Sequence, residues 1–434
     1  MCDLPSSSSG AGPDSGRFGA DLDRRTLLRV GGVAGAAGAA TLVSAAVGAP
    51  AYAARGRRRA YVLVVDGCRP GEITPELTPT LASLRAGGFD YPRAQSLPVM
   101  ETIPNHTMMM TGVRPDRTGV PANTVYDREL GEVRTLDRPS DLRFPTVISR
   151  LNRAGFTTGT VLSKEYLYGI FGGRATYRWE PQPIIPISGH APDVATMDAT
   201  LDMVEEVDPN LVFVNLGDID RFGHSDLTGT TLQLARRLAL ADTDLQVKRF
   251  VDLLRSSGRW ERSLVVVLAD HSMDWSTPDA VINLSSVFEA NALLAGRVAI
   301  ADNGGADLLS WTGPRARRDD ALRTMRRLAL ATPGVLSVHR PAELRLGPEA
   351  GDLVVYCRAG WRFSDPDYTS NPIPGNHGHP ATLPIPFFLA GGADAVRRGS
   401  STARAHTMDV APTVGRFFGL GAPRGGYDGR SRLP

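Results

Sequence analysis

Five of the eight histidines lie in four short motifs, three of which also contain acidic or hydroxyl side chains. They are His106, His224, His271, His377 and His379. Asp220 stands four residues before His224, and Asp270 directly precedes His271. Carboxylate oxygen with imidazole nitrogen, without cysteine, is the ligand set of a catalytic zinc site rather than a structural one. The sequence therefore predicts a catalytic metal centre, and the number of such ligands suits two divalent ions.

Thr102 opens the motif TIPNHT and stands two residues before a proline. This position predicts that Thr102 lies at or beside the N-terminus of a helix, where backbone N–H groups and the helix dipole favour an anion. Such a place suits an activated nucleophile, but a threonine there also serves as a plain helix cap. The residue alone leaves both roles open.

Acidic residues follow the three strongest predicted strands. Asp66 follows the strand predicted over residues 60–65, Asp218 and Asp220 follow residues 211–216, and Asp270 follows residues 264–269. Because the carboxyl ends of parallel strands share one edge of a sheet, we expect these acids to converge there. A single aspartate after a strand is usually a turn former, but three together indicate a site.

Predicted strands alternate with predicted helices along most of the chain, which favours an α/β fold with a mostly parallel central sheet and helices on both faces. The other elements predicted for it are helices over 78–86, 144–154, 193–207, 232–254 and 408–418, and strands over 157–162 and 386–389. Residues 272–370 are less regular, with strands predicted at 298–300 and 353–356 and a helix at 319–330. We interpret this segment as a small cap or inserted subdomain of one catalytic domain over residues 54–434.

The N-terminal 53 residues resemble a twin-arginine export signal. Arg24 and Arg25 precede an apolar run over residues 30–49, and AYA at residues 51–53 suits a signal peptidase. We expect export by the twin-arginine machinery to the periplasm, cell surface or medium, with no stable membrane span after cleavage. If the segment stayed uncleaved, it would be long enough to act as an anchor. Beyond it, Cys68 and Cys357 could pair, although Cys68 suits the packing of a small apolar residue.

The positive and negative residues of the chain are nearly equal in number. Lys and Arg number 48 against 46 Asp and Glu, a formal net charge of +2. Nothing in this balance indicates nucleic acid as an obligate partner. The apolar content of 42% is enough for a substantial core.

Six motifs in order resemble the nucleotide pyrophosphatase/phosphodiesterase enzymes of the alkaline phosphatase superfamily. They are VVDGCR at Asp66, TIPNHTMMMTG at Thr102, GVPANTVYD at Asn123, DIDRFGH at Asp220, LADHSM at Asp270 and GNHGHP at His377. The resemblance covers residues 60–420 and is thin over residues 276–350. It implies an alkaline phosphatase-like fold and a hydrolase of small-molecule phosphodiesters or pyrophosphates.

The resemblance also implies roles for individual residues. One zinc ion would be held by Asp220, His224 and His377, and a second by Asp66, Asp270 and His271, with Thr102 touching the second. The family spacing favours Asp220 over Asp218 and His377 over His379. Thr102 would attack phosphorus, and the Asn123 amide would hold a non-bridging oxygen.

Two positions depart from nucleotide-cleaving relatives. Ile103 stands where many of them have a phenylalanine that stacks on the base, so an aliphatic wall there does not favour nucleotides. Lys164 resembles the substrate lysine of phosphonoacetate hydrolases, which share the fold and metal set. Hydrolysis of a C–P bond or of a phosphomonoester is therefore an alternative, and a non-catalytic exported binding protein is the alternative from another class.

Overall fold

The computed structural model describes residues 57–182, 184, 189–365 and 374–434. The predicted export signal over residues 1–53 lies outside these ranges and stays a prediction. Within them, no helix combines the length and apolar character needed to cross a membrane.

The described elements alternate along most of the chain, as the sequence predicts. The strands are β1 (Arg59–Val65), β2 (Phe89–Asp90), β3 (Thr124–Asp127), β4 (Glu132–Thr135), β5 (Thr158–Leu162), β6 (Tyr177–Trp179), β7 (Leu211–Leu216), β8 (Ser263–Leu268), β9 (Asp274–Trp275), β10 (Val281–Ile282), β11 (Val298–Asn303), β12 (Ala306–Trp311), β13 (Val335–His339), β14 (Leu353–Cys357), β15 (Arg362–Phe363), β16 (Gly375–Asn376), β17 (Phe387–Ala390) and β18 (Gly399–Ser400). The α-helices are α1 (Pro79–Gly87), α2 (Thr102–Thr111), α3 (Pro115–Thr118), α4 (Val147–Arg153), α5 (Glu165–Phe171), α6 (Asp193–Glu206), α7 (Asp218–Ser225), α8 (Leu234–Ser256), α9 (Leu284–Glu289), α10 (Arg318–Ala331) and α11 (Val410–Phe418).

The main sheet has the order β18-β2-β17-β8-β1-β7-β5-β6. Its central strands β8, β1, β7 and β5 run parallel to one another. Val65 pairs with Leu216, and Val64 pairs with Leu268, so three strands end at nearly the same level. β1, β7 and β8 are buried almost throughout, as expected where helices cover both faces of a sheet. The predicted α/β class is confirmed.

Two predicted elements differ from those observed. The predicted strand at 386–389 is β17, which pairs antiparallel with both of its neighbours rather than parallel. The helix predicted from residue 144 begins only at Val147, because the Thr146 side chain accepts a hydrogen bond from Ser149 N and caps the helix.

A second, antiparallel sheet lies within the segment predicted as a cap. Its order is β11-β12-β14-β13, and α10 packs on it over a separate hydrophobic cluster that extends from Ile282 to Phe363. Cys357 is buried in that cluster and Cys68 in the main core, and both are free thiols. The suggested disulfide is therefore not formed, because each cysteine packs into a different core.

One buried arginine connects two of the turns that follow the central strands. Arg236 on α8 is fully buried and donates to both carboxylate oxygens of Glu72 at 2.6 and 2.7 Å. It also donates to the carbonyl of Gly67 at 2.7 Å and to that of Ile219 at 2.9 Å. Gly67 follows Asp66 and Ile219 precedes Asp220, so Arg236 fixes the turns that carry both acids.

Replacing this arginine is expected to destabilise the fold. In Arg236→Leu, Glu72 becomes a buried charge without a partner, which costs about 3–5 kcal/mol of unfolding free energy. Its exposed neighbour Arg237 is the matched control, and Arg237→Leu should stay within about 0.5 kcal/mol of the parent. Urea unfolding measures both variants, and similar losses in the two would contradict the role given to Arg236.

Candidate active site

Asp66, Asp270 and His271, the first ligand set along the chain, lie together at the ends of β1 and β8. His271 Nε2 is 3.7 Å from Asp66 Oδ1 and 3.4 Å from Asp270 Oδ2. All three side chains are fully buried, and their candidate ligand atoms lie within 4.8 Å of one another. This spacing fits one cation between two carboxylates and one imidazole.

The second predicted set lies beside the first. The Nε2 atoms of His224 and His377 are 3.0 Å apart, and they lie 3.4 and 3.7 Å from Asp220 Oδ1. The His377 ring stacks on the His271 ring with centroids 3.7 Å apart, so the two ligand sets are in direct contact. A Cβ atom at Gly375 would lie 2.3 Å from Gly223 O, and glycine is therefore required where the two histidine-bearing loops meet.

Each of the three carboxylates has one oxygen without a hydrogen-bond partner. These buried atoms are Asp66 Oδ1, Asp220 Oδ1 and Asp270 Oδ2. The other Asp270 oxygen accepts from Gly67 N at 3.2 Å, in a turn where Gly67 takes a left-handed φ of +73°. Buried acceptors are rarely left unsatisfied. Three together, next to inward-facing imidazole nitrogens, fit divalent cations as their partners.

The three histidines are oriented alike by hydrogen bonds at Nδ1. The acceptors are Gly375 O for His224 at 2.8 Å, Ser272 O for His271 at 3.0 Å and Glu101 Oε1 for His377 at 2.8 Å. An Nδ1–H held in this way leaves Nε2 as the free ligand atom and fixes the ring. The orientation is therefore suited to metal binding.

Glu101 is a functional residue that the sequence reasoning missed. Its second oxygen accepts from Asn123 Nδ2 at 2.6 Å, so one buried carboxylate connects His377 to Asn123. Burial opposes charge on His377, but the adjacent Glu101 carboxylate outweighs it and raises the pKa of His377 to about 9 in the metal-free protein. The sequence feature that could have identified Glu101 is an acidic residue directly before Thr102, at the N-cap of a predicted helix.

Thr102 is the first residue of α2, as predicted. Its Oγ1 lies 3.3 Å from His271 Nε2, and it lines a cavity of about 230 Å³ together with Asn123 and His377. Asn123 Oδ1 accepts from Ile103 N at 2.8 Å, which fixes the amide beside the helix start. The threonine hydroxyl and the amide thus meet Asp220, His224 and His377 at one cavity, and Thr102 also contacts His271 of the buried ligand set.

The structure gives no support to the expected substrate wall at Ile103. Its side chain is fully buried in the main core and does not line the cavity, because α2 points it inward. Tyr166 and Arg221 line the cavity instead. Both were missed, although Arg221 stands inside the motif DIDRFGH directly after Asp220.

The expected substrate role of Lys164 is also not supported. The lysine is fully buried, with Nζ 2.8 Å from Asp66 Oδ2 and 2.7 Å from Asp220 Oδ2. It therefore contacts one carboxylate of each ligand set and does not line the cavity. Burial alone would raise the pKa of Asp220, but the Lys164 charge together with His224 and His377 outweighs it and holds that pKa well below its usual range. Lys164 acts as a counter-charge between the two sets.

The two rivals for metal binding are engaged elsewhere. Asp218 lies 3.0 Å from His190 Nε2 and accepts from Asp193 N at 3.0 Å. His379 Nε2 lies 3.0 Å from Asp274 Oδ2. The groups of potential metal ligands among the described residues are Asp66, Asp270 and His271, and Asp220, His271 and His377, so they contain neither rival. His224 is also outside these groups, but its Nε2 lies 3.4 Å from Asp220 Oδ1 and 3.0 Å from His377 Nε2.

His106 connects the start of α2 to Asp66 through hydrogen bonds that involve Asn215. Its Nδ1–H donates to Thr102 O at 2.8 Å, and its Nε2 accepts from Asn215 Nδ2 at 3.2 Å. Asn215 also donates to Asp66 Oδ2 at 2.8 Å. The imidazole thus positions the start of α2 relative to the first ligand set.

Known proteins resemble this chain in sequence and in fold. The family model described as type I phosphodiesterase / nucleotide pyrophosphatase matches residues 60–380. Murine ectonucleotide pyrophosphatase/phosphodiesterase 5 is a structural neighbour with a TM-score of 0.70 and 17% identity, over 84% of this chain and 96% of that chain. The human counterpart has a TM-score of 0.69 and 16% identity, over 86% and 97% of the two chains. Phosphonoacetate hydrolase from Sinorhizobium meliloti 1021 has a TM-score of 0.64 and 18% identity, over 84% and 95%. At these identities the solved structures share the fold.

The position of Lys164 generates a prediction about metal removal. In Lys164→Met, the metal-free protein keeps buried carboxylates without their counter-charge and should lose about 3–5 kcal/mol of unfolding free energy. Zinc supplies positive charge at the same carboxylates, so the loss should be clearly smaller in the zinc-saturated protein. Urea unfolding with chelator and with excess zinc measures the difference.

The control for this prediction is Lys248→Met at an exposed lysine paired only with Asp252. It should change stability by no more than about 0.5 kcal/mol in either condition. Equal losses in Lys164→Met with and without zinc would show that Lys164 is an ordinary packing residue.

Proposed function

The chain belongs to the type I phosphodiesterase / nucleotide pyrophosphatase family, and from this we propose that it cleaves phosphodiester or pyrophosphate bonds with Thr102 as nucleophile at a two-zinc site. Membership makes it a hydrolase of the phosphodiesterase/nucleotide pyrophosphatase type. The observation that carries the proposal is the position of Thr102 Oγ1, which lies 3.3 Å from His271 Nε2 of one ligand set and lines the same cavity as Asp220, His224 and His377 of the other.

In this proposal Asp66, Asp270 and His271 hold one ion, and Asp220, His224 and His377 hold the other. Bound divalent cations supply Lewis-acid chemistry, because they lower the pKa of a hydroxyl or water and neutralise charge on phosphoryl oxygens. Nitrogen and oxygen ligands without sulfur suit zinc in a catalytic site.

Thr102 forms the new bond to phosphorus. Its Oγ loses its proton to water and attacks phosphorus, the P–O bond to the leaving group breaks, and the leaving alcohol or phosphate takes up a proton from water, so the phosphoryl portion is transferred to the threonine. A water molecule then cleaves the phosphothreonine ester and restores the hydroxyl. The dipole of α2 favours an anion at Thr102, while the Ile103 and Asn105 N–H groups are already bonded to Asn123 and Glu101.

Asn123 stabilises the charge that grows on a non-bridging oxygen. Its Oδ1 is held by Ile103 N and one Nδ2–H by Glu101, which leaves its second Nδ2–H for the substrate. An oriented donor of this kind typically contributes about 10²–10³-fold in rate.

Two structural neighbours suggest different substrates. The murine relative was solved as an inactive threonine-to-alanine variant in complex with AMP. The bacterial phosphonoacetate hydrolase was solved with phosphonoformate. For this chain, burial of Lys164 removes the residue on which the phosphonate alternative rested, so diester or pyrophosphate cleavage is the function best supported.

Substitution of the nucleophile tests the proposal. Zinc-loaded Thr102→Ala should lose about 10³-fold or more of kcat/KM on its preferred substrate. The panel comprises bis-p-nitrophenyl phosphate, p-nitrophenyl phosphate, a nucleotide diester and phosphonoacetate.

Thr102→Ser is the matched control, because it keeps the hydroxyl and should keep measurable turnover. Mass spectrometry of the acid-quenched parent should find the phosphoryl portion of the substrate on the Thr102 peptide. Full activity in Thr102→Ala would show that another group is the nucleophile.

A further inference from the structure

Arg221 is a cation in the cavity, and it has no ion-pair partner in the described part of the chain. It follows Asp220 on α7 and lines the cavity that also contains Thr102 and Asn123. Its guanidinium makes no ion pair or hydrogen bond with any residue the structure describes, and its Nε is buried without an acceptor. Arg236, by contrast, uses every guanidinium nitrogen. A buried donor without an acceptor is unfavourable, more so when it is charged.

Tyr166 lies next to Arg221. The guanidinium carbon is 5.6 Å from the centre of the Tyr166 ring, which also lines the cavity. Burial raises the pKa of Tyr166, so the ring remains an uncharged phenol. An aromatic neighbour at this distance holds a guanidinium by cation–π attraction, and its N–H groups remain available to an anion.

The other charged groups near Arg221 do not pair with it. Glu101 is engaged by His377 and Asn123. Asp302 accepts from the backbone of Gly304 at 2.7 Å and of Asp365 at 3.2 Å. Asp220 and Asp66 attract the Arg221 charge through space, but both carboxylates pair with Lys164 and neither forms an ion pair with the guanidinium. Among the described residues, the N–H groups of Arg221 are therefore left for a group that enters the cavity from outside.

We propose that Arg221, supported by Tyr166, binds a second anionic group of the substrate, separate from the phosphoryl group that Thr102 attacks. Resting on the proposed function, this narrows the substrate class to molecules with two anionic groups close together. Pyrophosphates carry a second phosphate, and phosphonocarboxylates carry a carboxylate. Either group matches the planar donors of arginine. A diester whose two ester groups are uncharged has no second anion for Arg221 to bind, so it would contact only the residues around the reacting phosphorus.

The test compares inhibitors with one and two anionic groups on the zinc-loaded enzyme, with zinc in excess. Arg221→Gln should raise the inhibition constant of methylenediphosphonate about 10–100-fold, the range for a lost hydrogen bond to a charged group. The constant for methylphosphonate should change less than about 3-fold. Arg221→Lys should recover part of the loss, because it keeps the charge but not the planar fork.

Substrates give the second readout. In Arg221→Gln, kcat/KM for a nucleoside diphosphate or for phosphonoacetate should fall by a similar factor, while kcat/KM for bis-p-nitrophenyl phosphate stays within about 3-fold of the parent. Whichever doubly charged substrate shows the selective loss identifies the anion as phosphate or carboxylate.

Uniform losses on all substrates, or no loss on any, would overturn the proposal. Thr102→Ala is assayed in parallel and reports on the nucleophile alone. Loss of turnover in that variant with no selective effect of Arg221→Gln would reject this inference and leave the proposed function standing.

Discussion

The constraint on which the site depends is the burial of three carboxylates at one edge of the sheet. Asp66 and Asp270 lie within 3.7 Å of His271 Nε2, Asp220 lies within 3.7 Å of the Nε2 atoms of His224 and His377, and all three carboxylates are buried. Lys164 pairs with Asp66 and Asp220, so three buried carboxylates share one lysine. Burying such an excess is unfavourable unless cations enter. Two divalent ions would change the net charge of the site from negative to positive, and the site would then attract a phosphoryl group.

The fold brings these charges together through short, fixed connections. Parallel strands β1, β7 and β8 end at one level, and their acids follow immediately. Arg236 then ties the turn after β1 to the start of α7. Glu101 joins His377 to the Asn123 amide beside Thr102. Rearranging one proposed ligand would therefore disturb Thr102 and Asn123.

Much of this could be predicted from the sequence, because the signals were local. A β-rich run that ends in aspartate predicts both a strand and the position of its acid, and three such runs predict a shared edge. Thr102 before Pro104 predicts the start of a helix. The order of six motifs identified the family, which the match over residues 60–380 confirms.

The rest could not be predicted, because it depends on which way a side chain points in the packed fold. Ile103 and Thr102 are adjacent, yet one faces the core and the other the cavity. Lys164 follows a strand, where solvent exposure is the usual outcome, but the strand ends between two buried acids. Arg221 stands inside a ligand motif, and only the fold shows that its guanidinium has no partner among the described residues.

The most direct test of the account is a crystal structure of the zinc-loaded protein with anomalous data at the zinc edge. Two peaks about 4 Å apart are expected. One should contact Asp220, His224 and His377, and the other Asp66, Asp270 and His271, with Thr102 Oγ1 beside the second. A single peak, or ions bound away from these six side chains, would contradict the account.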